Sequence, residues 1–155
     1  MPTAADDTAA EDSDPGPEVT WRLGYLLKHA RERLAELTGP ALAPFGIDGR
    51  QLAVLLVLAS AEPASQQEAA RRLGVDRTTM VSLLDALEER GLIARYPAAG
   101  DRRKNVVELT QLGHHVLLAA TEANDEAERQ FLSALSAADS RRLRELLRIL
   151  VMGPG

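Results

Sequence analysis

The sequence has 155 residues, 45% of them hydrophobic, so it is long enough to bury a sizeable core and most simply forms one domain with a tail. It has no cysteine, which excludes disulfides, thiolate-bound metals and a cysteine redox switch. Its formal net charge of −5 argues at first against a nucleic-acid-binding protein.

The negative charge is concentrated at the N-terminus. Residues 1–20 hold six acidic residues and no lysine or arginine, which leaves a net charge of +1 for residues 21–155. Residues 71–104 hold eight basic and five acidic residues, a local net charge of +3. Because a DNA duplex responds to the distribution of charge rather than to its total, this excess permits DNA binding without proving it.

The N-terminal segment is acidic and rich in alanine, unlike a secretory signal with a basic start and an apolar middle. No apolar run approaches the roughly 20 residues that cross a bilayer. We therefore expect a cytoplasmic protein without membrane contact. Residues 1–18 are predicted to be a disordered acidic tail, either inert or repelling non-specific DNA, and residues 19–155 a single domain.

An amphipathic helix is predicted from Val19 to Thr38. Its apolar residues recur at steps of three and four on one face. Gly39–Pro40 is expected to end it, because the residue before a proline avoids helical geometry. The apolar seam of this helix comprises Leu23, Leu27, Ala30, Leu34 and Leu37.

A second helix is predicted from Gly49 to Ala59, with Asp48 as its N-cap and Glu62–Pro63 as its breaker. It is apolar nearly all round, so it is expected to be the most buried helix.

A helix-turn-helix is predicted next. Ser65 and Glu68 have the spacing of a capping box at the start of a short helix. Gly74 tolerates the positive φ of a tight turn, and Asp76 is suited to cap the following helix, residues 77–90. The inward stripe of that helix is predicted to comprise Val81, Leu84 and Leu87, helped by Met80 or Leu83.

Two short strands are predicted after the helix-turn-helix, Leu92–Tyr96 and Asn105–Leu109. The eight residues between them, 97–104, include a proline, a glycine and three consecutive cations. A basic hairpin in this place is typical of a wing. The predicted fold class is mainly α with a small β-hairpin wing, a winged helix-turn-helix over about residues 48–109.

Two further helices are predicted after the wing. Thr110 caps the first, which runs to about Ala134, and Ser136 with Asp139 begins the second. A second copy of the chain would cover their seams, so residues 19–38 and 110–151 are interpreted as N- and C-terminal dimerisation helices. The alternative is that the seams close on the chain's own core. The seams comprise Leu112, Val116, Ala119, Ala123, Ala127 and Phe131, and then Leu143, Leu146, Leu147 and Leu150.

The side chains at the start of the second motif helix suit DNA. Arginine can bind guanine through two hydrogen bonds, and threonine can contact a base or the thymine methyl. The wing cations suit the minor groove or the adjacent backbone, and the preceding helix start can donate to a phosphate. Each group alone is more typical of a solvated surface. The order in which the groups follow one another, from the capped helix through the glycine turn to the basic hairpin, predicts binding of double-stranded DNA. The candidate contacts are Ser65, Gln66, Gln67, Arg77, Thr78, Thr79, Ser82, Arg102, Arg103 and Lys104.

Two segments, LGVDRTTMVSLLDALEERGLIAR and GDRRKNVVELTQLG, resemble the MarR (multiple-antibiotic-resistance regulator) family of bacterial transcription factors. The similarity covers about residues 19–151. It implies a homodimer that binds a pseudo-palindromic operator, usually as a repressor, and that is often released by a small molecule such as a phenolic acid.

The resemblance also implies an Asp-x-Arg motif in the wing, matched here by Asp101 and Arg103. In the family the arginine reaches the minor groove and the aspartate helps to orient it. In this sequence Arg102 is a second candidate for the minor-groove arginine. Position 82 is often basic in such helices but is serine here, which leaves the base preference open.

Trp21, Tyr25 and His29 recur at steps of four on the first predicted helix and are candidates for binding an aromatic effector, although such a stripe is more often core or interface. Metal sensing is not expected, because His29 is isolated and the adjacent His114 and His115 lie on different helix faces. No cofactor is predicted, and no nucleophile motif, phosphate loop or metal-ligand spacing indicates an enzyme. The alternative function is a winged-helix protein-interaction module without specific DNA binding.

Overall fold

A computed structural model of the chain describes residues 15–60 and 64–153. By internal packing it divides into two units, one ending at Arg33 and the other beginning at Leu34. The mainly helical fold class with a β-hairpin is confirmed. In chain order the elements are α1 (Pro17–Thr20), α2 (Leu23–Leu42), a 3-10 turn (Ala43–Phe45), α3 (Gly49–Ala59), β1 (Ala64–Ser65), α4 (Gln66–Leu73), α5 (Arg77–Glu89), β2 (Ile93–Ala98), β3 (Asp101–Leu109), α6 (Gln111–Phe131) and α7 (Ala137–Met152).

The predicted boundaries at the N-terminal end need correction. The disordered tail falls largely on residues 1–14, which lie outside the described residues, and its last two positions belong to α1, which has Pro17 in its first turn. The first long helix does not stop at Gly39, because Pro40 is accommodated inside α2. A proline there removes only one backbone hydrogen bond near the end of the helix, which continues for two more residues.

Helix α3 is central to the core, as its composition predicts. It begins at Asp48 with a complete capping box, in which the Asp48 carboxylate accepts from the Gln51 N–H at 2.8 Å and the Gln51 side chain accepts from the Asp48 N–H at 3.0 Å. It ends at Ala59, and the predicted breaker Glu62–Pro63 lies outside the described residues. Its buried residues are Leu52, Val54, Leu55 and Leu58.

The core continues from α3 into α5, the sheet and α6. Its largest side chains that are almost fully removed from solvent are Leu42, Val54, Leu55, Met80, Leu84, Leu87, Ile93 and Val107. Within residues 15–60 and 64–153, no single helix has the length and hydropathy to cross a membrane. The helices Leu23–Phe45 and Gly49–Ala59, which are bent relative to each other, reach that length and hydropathy only when they are combined. Four residues of the second helix, α3, are buried in the core.

The strands form a three-stranded antiparallel sheet in the order β1-β3-β2. Strand β1 was not predicted, since two residues carry no alternating pattern; it pairs Ala64 with Val107 and Ser65 with Val106. It anchors the start of α4 to the hairpin.

The buried face of α6 differs from the predicted stripe by one residue. Gly113, Leu117, Ala120 and Ala127 are buried, whereas Leu112 and Ala119 of the predicted stripe are exposed. The junction before α6 explains the rotation. Thr110 caps the helix by accepting from the Gly113 N–H at 3.0 Å, and its hydroxyl donates to the Gly91 carbonyl at 2.6 Å. These bonds turn Gly113 towards the backbone of Leu92.

Helix α7 begins at Ser136 as predicted, and its hydroxyl both accepts from the Asp139 N–H at 3.1 Å and donates to the Asp139 carboxylate at 2.6 Å. None of its residues is buried in the single chain. Leu146, Leu147 and Leu150 of the predicted seam are all exposed, Leu150 by 72%. The chain's own described core therefore does not close this seam.

The junction at Gly113 predicts a large loss of stability for Gly113→Ala. A Cβ at this position would lie 1.9 Å from the Leu92 carbonyl oxygen, a backbone atom that cannot move aside cheaply. We expect the free energy of unfolding to fall by about 1–3 kcal/mol, measured by denaturant titration. Gly49→Ala is the matched control, because a Cβ at this exposed helical position meets nothing within 4 Å. Equal stability of the two variants would contradict the prediction.

Candidate nucleic-acid interface

The helix-turn-helix is set by local hydrogen bonds around α4 and α5. The Ser65 hydroxyl accepts from the Glu68 N–H at 3.1 Å, but the predicted reciprocal half of this capping box is not made. The Glu68 carboxylate instead accepts from Arg71 and Arg72, which hold the pKa of Glu68 below its usual value. Gly74 ends α4 with a φ of 62°, as its place in the motif predicts.

Asp76 fixes the first turn of α5, the second helix of the motif and hence the predicted recognition helix. Its carboxylate accepts from the Thr79 N–H at 2.8 Å and from the Thr79 hydroxyl at 2.6 Å. The side-chain hydrogen bond from Thr79, followed by the backbone one, lowers the pKa of Asp76. Thr79, a predicted DNA contact, is thus half-buried and bonded within the cap, with its hydroxyl proton directed at Asp76 rather than outward.

The outward face of α5 brings together three of the predicted contacts. Arg77, Thr78 and Ser82 are exposed and line one open depression of about 390 Å³ with Val81 and Asp85. Placing Val81 in the inward stripe was therefore wrong, because the helix rotates to bury Met80 with Leu84 and Leu87. This face offers hydroxyl groups, one guanidinium and an apolar patch, which are the side-chain chemistries that read base edges in the major groove.

The start of α4 lies beside this helix in the motif. Ser65 and Gln66 are half-buried, and Gln67 is exposed. Because the Ser65 hydroxyl already accepts the Glu68 N–H, it keeps its proton for another acceptor. Gln67 has the most accessible side chain of the three.

The wing is a tighter hairpin than predicted. The expected eight-residue loop was wrong, since the strands continue to a two-residue turn at Ala99–Gly100, where Gly100 has a φ of 86°. Ala98 pairs with Asp101, and the preceding Pro97 pairs with Asn105. Three residues of β3 therefore bulge opposite no partner on β2. They are Arg102, Arg103 and Lys104, whose backbone is in β3 and whose side chains lie outside the described part of the chain, while Asp101 is half-buried.

Sequence reasoning missed Arg95, which joins the wing to the recognition helix. Its guanidinium donates to Asp85 and, at 2.9 Å, to Glu88 on α5. The hydrogen bond that Arg95 donates to Asp85 is the main cause that raises the pKa of Arg95, against the opposing effect of its partial burial. The sequence signal was a cation two residues after the buried Ile93 in a strand, hence on the same, inward face.

The three effector candidates do not share one helical face. Trp21 follows α1 in a turn before α2 and is 86% exposed, so its assignment to the first long helix was wrong. Tyr25 and His29 do lie one turn apart on α2, with ring centroids 4.1 Å apart, and His29 Nδ1 is 3.1 Å from the Glu32 carboxylate. In residues 15–60 and 64–153, no group of three or more histidine, aspartate or glutamate side chains is arranged to hold a metal ion.

The order α4, glycine turn, α5 and antiparallel hairpin defines a winged helix-turn-helix. A sequence model described as the MarR family matches residues 45–104. The transcriptional repressor MprA of Escherichia coli K12 is 32% identical over 131 residues, covering 83% of this chain and 74% of MprA. The HTH-type transcriptional repressor NicR of Pseudomonas putida is 28% identical over 134 residues, covering 86% of this chain and 85% of NicR.

Solved structures agree with the sequence relatives. The transcriptional repressor CouR, solved bound to a 23-mer DNA duplex, superposes with a TM-score of 0.83 at 32% identity, covering 87% of this chain and 96% of CouR. The chain belongs to the MarR family of winged-helix transcriptional regulators. It is a DNA-binding transcriptional regulator and not an enzyme.

The cap of α5 predicts a pH-dependent loss of stability for Asp76→Ala. The folded-state pKa of Asp76 is depressed, so its stabilisation is complete above the unfolded value of about 3.9 and is lost as the pH falls through the lower folded value. We expect the variant's Tm to lie below the wild-type Tm at neutral pH and the gap to close in acid. Asp125→Ala, at an exposed mid-helix position of α6, is the control. A gap that stays constant from pH 7 to pH 2 would rule out this account.

Proposed function

We propose that the chain is a homodimeric repressor that binds a pseudo-palindromic operator and is released by a small aromatic ligand. The observation that carries the DNA-binding part is the outward face of α5, where Arg77, Thr78 and Ser82 share one depression at the N-terminal end of the recognition helix. Repression as the sign of regulation is supported by the relatives MprA, NicR and CouR, which are named as repressors. A regulator of this kind acts in the cytoplasm.

The contacts with DNA divide between the two grooves and the backbone. Arg77, Thr78 and Ser82 would meet base edges in the major groove, with Thr79 contributing through the cap it completes. Gln67, with Ser65 and Gln66, would bind a phosphate at the start of α4. The bulge in β3 places the backbone of Arg102, Arg103 and Lys104 close to the hairpin turn, where cations suit the minor groove, with Asp101 beside them.

The homodimer is supported by the apolar residues that the single chain leaves exposed on α7. No residue of this helix is buried in the single chain, and an exposed apolar patch of this kind marks an interaction surface. A second copy is the occupant we propose, because a two-fold axis would place two recognition helices about one DNA turn apart, as a pseudo-palindromic operator requires. The exposed large apolar residues of α7 are Leu146, Leu147, Ile149, Leu150, Val151 and Met152.

The effector would be an aromatic carboxylic acid that stacks on Tyr25 and binds His29. The two ring centroids lie 4.1 Å apart on α2, and the imidazole offers a hydrogen-bond donor. Trp21 remains a candidate only as a side chain of the preceding turn. Titration of the operator complex with aromatic acids tests this part, and no release by any of them would count against it.

Two substitutions separate positioning of the protein on DNA from reading of the bases. Arg103→Ala is expected to weaken binding to every sequence about tenfold and to reduce the slope of affinity against salt by about one. Thr78→Ala is expected to change the preference at one position in each half-site by about 1 kcal/mol. Binding is measured by fluorescence anisotropy on selected and random duplexes.

Arg142→Ala is the control for these substitutions, because it removes an exposed cation of α7, outside the winged-helix motif. Wild-type protein that binds operator and random duplexes equally would overturn the proposed sequence-specific function.

The dimer predicts that Leu150→Glu will produce monomers. A carboxylate in an apolar interface loses its hydration without a partner, so association becomes unfavourable. Sedimentation velocity should show wild-type dimers and variant monomers, with operator affinity lost in parallel. Arg141→Glu, on the opposite face of α7, is the control and should remain dimeric. A dimeric Leu150→Glu variant would place the interface elsewhere.

A further inference from the structure

Arg95 occupies a position that the strand alternation directs towards the core. Its Cα lies opposite Val107 in the antiparallel pair β2–β3, and such partners project to the same face of a sheet. Val107 is fully buried, and so is Ile93, two residues before Arg95 on the same strand. The Arg95 side chain is only 18% exposed, so it lies between the hairpin and the rest of the fold rather than in solvent.

The guanidinium of Arg95 binds two carboxylates on one face of α5. Nη2 donates to Asp85, and Nε donates to Glu88 at 2.9 Å; these two acids are one helical turn apart. Most of the ion pairs in the described ranges join residues one turn apart within a single helix, such as Arg129 with Glu126. The Arg95 contact instead joins the wing to the C-terminal half of the recognition helix.

We propose that Arg95 is a positioning residue for operator binding, which fixes the wing relative to α5 so that both elements reach the DNA together. The inference rests on the proposed DNA-binding function. When one rigid body makes both groove contacts, less conformational entropy is lost on binding than when two independently moving parts make them. The fork geometry of arginine suits this task, because one planar group restrains two carboxylates at once.

The same contact controls charge on the DNA-facing surface. Asp85 lines the depression that also contains Arg77, Thr78 and Ser82, so an unpaired carboxylate there would repel phosphates. Arg95 offsets that charge and holds the carboxylate back towards the hairpin. Loss of Arg95 therefore both frees the wing and exposes a negative charge beside the base-reading residues.

The test compares Arg95→Met with wild type in the full chain. We expect operator affinity to fall about tenfold while the Tm changes little, because both carboxylate partners are solvent-exposed and methionine keeps the apolar packing of the arginine stem. Arg95→Lys should recover part of the affinity, since an ammonium can bind one carboxylate but cannot span both in a planar fork. Arg129→Met is the matched control, because it removes an arginine whose ion pair lies within α6, and it should bind like wild type.

A double-mutant cycle with Arg103→Ala distinguishes positioning from a general structural role. If Arg95 positions the wing, Arg103→Ala will cost less affinity in the Arg95→Met background than in wild type. Strict additivity, or wild-type affinity of Arg95→Met, would overturn the inference while leaving sequence-specific binding intact. If wild-type protein itself does not distinguish operator from random DNA, the proposed function fails instead. Should Arg95→Met not fold, the Asp85→Asn, Glu88→Gln double variant breaks the same contact and should show the same reduced effect of Arg103→Ala.

Discussion

Burial of the inner face of α5 is the constraint on which the rest of the structure depends. Met80, Leu84 and Leu87 are completely removed from solvent and pack in one core with α3 and the sheet. Each residue of a helix turns the side chain by about 100°, so burying these three fixes the rotation of α5 about its axis. Arg77 and Ser82 must then face outward. Rotating the helix to hide them would bury a charge without a partner, at a cost of several kcal/mol.

Local hydrogen bonds decide where this helix begins and what remains free on it. Asp76 caps α5 through both the backbone and the hydroxyl of Thr79. The two neighbouring threonines therefore differ in accessibility, since Thr78 stays exposed while Thr79 is bonded within the cap. The left-handed turn at Gly74 brings α4 and α5 together without strain. Fewer side chains at the start of α5 are therefore free to contact DNA than the polar sequence alone would indicate.

The far end of α5 is tied to the wing and to α6. Arg95 links the helix to β2 through Asp85 and Glu88. The Thr110 hydroxyl donates to the carbonyl of Gly91, two residues after the end of α5, while the Gly113 backbone packs against Leu92. The end of the recognition helix, the base of the wing and the start of α6 therefore meet at one junction.

The order of the long helices and the two hairpin strands could be predicted from the sequence, as could the glycine turn and the polar start of α5. So could the caps, because a cap depends on side chains close together in the chain; they are Asp48, Ser65, Asp76, Thr110 and Ser136. Helical periodicity also identified the seam of α7, yet it could not show that the single chain leaves this seam exposed. Four features followed from tertiary packing instead: the rotation of α6 by one residue, the outward position of Val81, the short turn of the wing and the contact of Arg95 with α5. Each of these depends on a neighbour distant in sequence: a carbonyl at Leu92, the partners of Met80, the register of β3, and two acids on another element. Periodicity constrains which residues share a face, whereas only packing determines what that face meets.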